Sequence, residues 1–309
     1  MRNLSIRIPE VPDIDDYQEI KDASLSGDLI IFIGAGVSSI LGCLRWVDTA
    51  EDLLRYCREI SLISFWEEQR MLSLYKTNPR KMITIAKSKL SKLQYQKQLK
   101  VTLRGKRKLI DKMPVYKNLS GINAIYVTTN IDNHFRDVLG NSNTYCQVSD
   151  FKIRNLRPGR LFHLHGHKSD MNKIVFTIDE YIRHYNKKVI QKFLYEIFVN
   201  PNKKYCLLFL GYGLEELEII DFMIGKTGEK DETIRSSRKK YMLFPFFSAE
   251  KELLAFEEAY YEKMGIELIP YSIDRNGHEK QLFEIIRIWQ SYILPTDFYK
   301  KARLIDEVI

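Results

Sequence analysis

Six short apolar, β-rich runs punctuate this 309-residue chain, at 28–33, Ala124–Val127, Arg160–Leu164, Tyr205–Leu210, Lys240–Phe244 and Ile266–Pro270. Helical patterns separate them, among them Ile178–Tyr185, Lys188–Phe198, Leu214–Ile224 and Glu279–Tyr292. Strands alternating with helices in this way predict an α/β fold, a Rossmann-like, doubly wound and mostly parallel sheet. The first run ends in Gly34-Ala35-Gly36, so the opening unit is strand, tight turn, helix.

One stretch interrupts the alternation. From Asp48 to about Leu119 the apolar spacing is helical throughout: Asp48 with Glu51 suits a capping box, and Asn78-Pro79 suits an N-cap followed by the first helical residue. The expectation is a helical subdomain, about 48–119, inserted into a nucleotide-binding domain at 25–292. A segment at 1–24 precedes that domain and an extension at 293–309 follows it. Thr177 with Glu180 makes a second capping box, and the polar stretch Gly225–Arg238 reads as a surface loop.

Composition narrows the class. With 45% apolar and 28% charged residues the chain has material for a packed interior and a solvated surface. The N-terminus has no uninterrupted apolar stretch, and runs such as Leu29–Ile33 are far too short to span a bilayer. The expectation is no membrane contact and a cytoplasmic location. Cys43, Cys57, Cys146 and Cys206 form no C-x-x-C pair, which argues against a disulfide framework and a cysteine-based zinc ribbon. Much of the net charge of +8 lies in the run Lys97–Lys112, read either as a solvated helix face or as a contact for nucleic acid or a partner protein.

Ligands of doubly wound sheets sit beyond the carboxyl ends of the strands, and the segments GAGVSS, TTNID, HLHGH and GYGLEE all fall there. Gly34, Ala35, Gly36 and Ser38 would let backbone and a hydroxyl approach a pyrophosphate. Ser39 stands where a dinucleotide fingerprint has its third glycine, which disfavours a hydride-transferring dehydrogenase. Thr129 and Asp132 could cap the helix after the second strand. His163, His165 and His167 alternate, with Gly166 breaking the strand.

In order and spacing these segments resemble the sirtuins: GAGVS resembles the opening glycine motif, Thr128-Thr129-Asn130-Ile131-Asp132 the T-Q-N-I-D segment, and Leu164-His165-Gly166 the catalytic-histidine motif. Gly211-Tyr212-Gly213 resembles the branch found in bacterial anti-phage defence, which hydrolyses NAD. The resemblance spans roughly 25–292 and implies NAD as substrate with no metal. Asn130 would position a water or ribose hydroxyls, Asp132 and Ile131 would line the nicotinamide pocket beside Thr129, and His165 would be the general base. Gly34, Ala35, Gly36 and Ser38 would hold the phosphates, with Gly211 and Gly213 near a ribose. Protein-deacylating sirtuins carry two C-x-x-C pairs and an acidic-aromatic-arginine segment; this chain has no such pairs and reads Cys43-Leu44-Arg45-Trp46 in that place, which argues against acyl-lysine substrates. The branch implies a latent NAD hydrolase, an antiviral effector acting as a homo-oligomer or with a defence partner. Two rivals stand beside it: a noncatalytic sensor of NAD or ADP-ribose, and a metal-dependent hydrolase using His163 and His165 with Asp132 or Asp170.

Overall fold

The computed structural model describes residues 8–200, 202, 205–214, 216–224 and 239–293. The polar stretch 225–238 and the extension from 294 onward lie outside the described residues. In chain order the elements are α1 (Gln18–Ser26), β1 (Leu29–Ile33), α2 (Ala35–Ser39), α3 (Trp46–Glu59), α4 (Phe65–Tyr75), α5 (Pro79–Lys89), α6 (Lys92–Thr102), α7 (Arg107–Lys112), α8 (Val115–Ser120), β2 (Ile125–Thr128), α9 (His134–Leu139), β3 (Thr144–Tyr145), β4 (Leu161–His163), α10 (Ile178–Tyr185), α11 (Lys188–Phe198), β5 (Cys206–Leu210), α12 (Leu217–Ile224), β6 (Lys240–Phe246), α13 (Lys251–Glu262), β7 (Glu267–Ser272) and α14 (Gly277–Tyr292).

The strands form one seven-stranded sheet in the order β3-β4-β2-β1-β5-β6-β7, with every pairing parallel. This is the Rossmann-like α/β fold that the alternation predicts. All five residues of β1 are fully buried because strands flank it and helices cover both faces. Ile30 and Phe32 face a core closed by α10, α11, α12 and α13, whereas Leu29, Ile31 and Ile33 face one closed by α1, α8, α9 and α14. Main chain from the N-terminal segment is pinned to the second layer, where Trp289 Nε1 donates to the Pro12 carbonyl at 2.8 Å.

Helices α3 to α6 build a third core of their own. Leu53, Leu54 and Cys57 of α3 meet Met82, Ile83 and Ala86 of α5 and Tyr95 and Leu99 of α6. Ile131, Ile174 and Phe176, from loops of the sheet domain, complete that core, so the helical layer is seated directly over strand ends. By contrast α8 packs on the sheet through Val115, Tyr116 and Leu119.

The local differences from the sequence reading have physical causes. Helix α3 begins at Trp46, two residues earlier than expected, because Asp48 sits at its third position and its carboxylate accepts the Arg45 amide at 3.3 Å; the Asp48–Glu51 box is not the cap. The Asn78 side chain does cap α5, accepting from the Lys81 amide at 3.1 Å, and Glu180 reaches back to the Thr177 amide at 2.9 Å. Leu214 has a φ of 49°, so α12 starts only at Leu217. Strand β3 has two residues, too few for any sequence period to register. No helix among the described residues is long and apolar enough to cross a membrane.

Candidate functional site

The two glycine segments meet backbone to backbone beyond the ends of β1 and β5. The Gly34 amide donates to the Leu210 carbonyl at 2.9 Å, and the Gly36 amide to the Gly211 carbonyl at 2.8 Å. A Cβ on Gly34 would lie 2.3 Å from the Gly211 oxygen, and Gly211 itself has a φ of +55°, so this junction excludes side chains twice over. These two amides are therefore spent on the neighbouring loop. What the junction offers a ligand is bare, closely approachable backbone.

That backbone floors a pocket of about 770 Å³, within the range of cofactor-sized sites. Ala35, Gly36, Thr129, Gly211 and Gly213 line it together with Arg45, Trp46 and Arg80 from the helical layer and His278 from α14. The Arg80 guanidinium carbon lies over the Tyr181 ring, 3.8 Å from its centroid. Its Nε is buried with no hydrogen-bond partner among the described residues.

Behind Trp46 and Thr129 lies a second, inner recess of about 20 Å³, lined by Ser38, Thr49, Asn130, Ile131, Asp132 and Phe176. Its polar wall is a closed network. Asn130 Nδ2 lies 2.8 Å from the Gly34 carbonyl, a pure acceptor, which fixes the orientation of the amide and leaves Oδ1 as its acceptor. Nδ2 also reaches Ser38 Oγ at 2.8 Å. Ser38 gives its one proton to Asp132 Oδ2 at 2.6 Å, so the Tyr116 hydroxyl, 2.7 Å away, must donate to Ser38. Burial, then the nearby Asp132, holds the Tyr116 phenol well above its ordinary range and keeps that donor protonated. The other Asp132 oxygen accepts the His134 amide at 2.9 Å, so Asp132 braces the start of α9, whose N-cap residue is Asn133, and faces the recess.

Ser38, expected at the phosphates, is thus turned to Asp132 and Asn130, with no proton left for a phosphate. The strand histidines also separate. His163 ends β4, and its Nδ1 lies 2.8 Å from the Asn130 carbonyl. His165 is wholly buried, with Nε2 3.0 Å from the Tyr185 hydroxyl and its ring against Trp46, Tyr181 and His184. Gly166, at a φ of +75°, makes the turn between them and His167. Burial above all, then His184 and Arg80, holds the His165 imidazole well below its ordinary range, with the Thr129 backbone weakly opposing. It is neutral at pH 7, in the form able to take a proton. His163 and His165 do not converge as a two-histidine metal site requires, and no group of three or more His, Cys, Asp or Glu among the described residues could hold an ion.

The structure gathers Ala35, Gly36, Thr129, Gly211 and Gly213 at the outer pocket and Asn130, Ile131, Asp132 and Ser38 at the inner recess; Gly34 lines neither and is held in the glycine junction, and His165 lines neither and sits under Trp46. Sequence reasoning missed Arg80, Tyr116, Tyr185 and His278. The Asn78-Pro79 cap located the start of the helix carrying Arg80, but not the face Arg80 occupies. Tyr116 has no local motif, and its partner Ser38 is 78 residues away.

Residues 124–269 match the family model of the SIR2-like domain. No curated protein matches the chain. The matched stretch runs from the start of β2 into β7, so it holds the TTNID, LHG and GYG segments and supports a sirtuin-like domain there. Such domains bind NAD, and the pocket is compatible with NAD-dependent activity.

Proposed function

We propose that the protein is an NAD hydrolase, converting NAD and water to nicotinamide and ADP-ribose, and that it acts as a latent effector of bacterial anti-phage defence. The observation that carries this reading is the pairing of the two cavities: a dinucleotide-sized pocket floored by bare backbone, and beside it a polar recess with room for about one water molecule. Thr129 and Trp46 line both.

In the reaction the bond between ribose C1′ and the pyridinium nitrogen breaks, and its electron pair neutralises the ring. The ribose gains oxocarbenium character, and a water oxygen bonds to C1′. Asn130 Oδ1 and the Asp132 carboxylate can hold that water and stabilise the developing positive charge. The neutral His165 takes up the proton released, with Tyr185 holding the opposite ring nitrogen. His165 must be uncovered for this step, and its burial beneath Trp46 accords with a latent state.

The experiment is incubation of the purified protein with NAD, alone and with candidate activators, following nicotinamide and ADP-ribose by chromatography. Release that His165→Ala abolishes establishes the hydrolase; intact NAD under every condition, with NAD bound, overturns it. That second result is what a noncatalytic sensor of NAD or ADP-ribose would give, and complete burial of His165 is the observation favouring that alternative.

A further inference from the structure

His278 belongs to the pocket wall, yet neither the motifs nor the proposed reaction uses it. It is the second residue of α14, reached directly from β7, and its half-buried ring lies over the glycine junction. A Cβ built on Gly36 would stand 3.1 Å from His278 Nε2, so this nitrogen is aimed at the bare backbone of the loop.

The other ring nitrogen settles which atom carries the proton. His278 Nδ1 lies 2.9 Å from the hydroxyl of Tyr271, a fully buried residue whose phenol burial pushes far above its ordinary range. That hydroxyl has no other hydrogen-bond partner among the described residues, so its proton goes to Nδ1, and a neutral imidazole that accepts at Nδ1 carries its own proton on Nε2. The pocket therefore has an N–H donor facing the glycine loop. Arg45 lines the same pocket and is close enough for its charge to act on the imidazole, after the larger effects of burial and of Glu279. Arg45 spends its Nε, at 3.2 Å, on Asp48, which also lines the pocket; a neutral donor and the remaining guanidinium N–H groups beside backbone stripped of side chains suit a ligand with a bulky, multiply charged oxyanion.

We propose that His278, through Nε2–H, is the phosphate-recognising residue of the outer pocket, acting with Arg45 on the pyrophosphate of an ADP-ribose-type ligand. This rests on the reading that the pocket binds NAD. It gives to His278 the role that Ser38, turned to Asp132, does not fill.

The test is calorimetric titration of the full chain with ADP-ribose, ADP and adenosine. Three variants are compared with the wild type: His278→Phe, which keeps a ring without the donor, His278→Gln, which restores an N–H near the Nε2 position, and Arg45→Gln. His278→Phe should weaken ADP-ribose and ADP by about 10-fold or more and leave adenosine unchanged, as expected for a hydrogen bond to a charged group. His278→Gln should recover most of that loss, and Arg45→Gln should show a smaller loss with the same preference for the phosphorylated ligands. Equal effects on ADP and adenosine, or no effect on either, would overturn the proposal while leaving the NAD reading standing. Failure of the wild type to bind any of the three would overturn both.

Discussion

The outer pocket and the inner recess lie side by side but are built in opposite ways. The outer pocket rests on main chain: two loops are locked carbonyl to amide at Leu210 and Gly211, and side chains enter only at its walls. The inner recess is made of side chains whose donors are already paired with one another, from Tyr116 through Ser38 to Asp132 and Asn130. Backbone fixed by a sheet gives a preformed cavity. Side-chain networks give a closed one whose opening must replace hydrogen bonds already made.

If the inner region carries the chemistry, His165→Ala should lower NAD turnover by about 10²–10⁴-fold, with a lowered melting temperature from the cavity it leaves but undiminished ADP-ribose binding. Asn130→Ala should also lose turnover; wild-type rates in both would end the catalytic assignment. At the outer junction the signature reverses. Gly34→Ala drives a Cβ into the Gly211 carbonyl and should cost about 3 kcal/mol in urea unfolding. Its ADP-ribose affinity should fall together with its stability.

Acid should act on the histidines packed around His163 and His165. Burial lowers His184 and His167 to about 4 each in the fold, against about 6.5 when unfolded. Between those values the unfolded chain binds protons that the folded one refuses. Stability is therefore complete above pH 6.5, is lost as pH falls toward 4, and levels off below. A melting temperature that stays flat from pH 7 to 4 would contradict this. Ser38→Ala removes the hub of the network and should cost about 1–3 kcal/mol, a loss that thermal and urea melts would both report. The smallest effect is a change of access. Trp46→Ala should make His165 reactive to diethylpyrocarbonate where the wild type is protected, as read by peptide mass spectrometry.

The same contrast explains how much was legible in the sequence. Helices α10 and α11 follow the expected Ile178–Tyr185 and Lys188–Phe198 because apolar period and caps are local properties. The motif loops were legible as strand ends, since each follows an apolar run. What was hidden depends on distant partners: the commitment of the Ser38 proton, the aim of the Gly36 amide, and the entry of Arg80 and His278 into one wall. None of these is written in a local spacing.

The strand order has a bearing on synthesis. Leu29 in β1 pairs with Cys206, and the pocket wall draws on residues as far apart as Ala35 and His278. A growing chain thus makes its glycine loop early and completes the wall only near the end of the described residues, long after translation has passed the Asn130 and His165 segments. On the proposed reading of the chain as an NAD hydrolase, copies still being made lack the His278 side of the pocket.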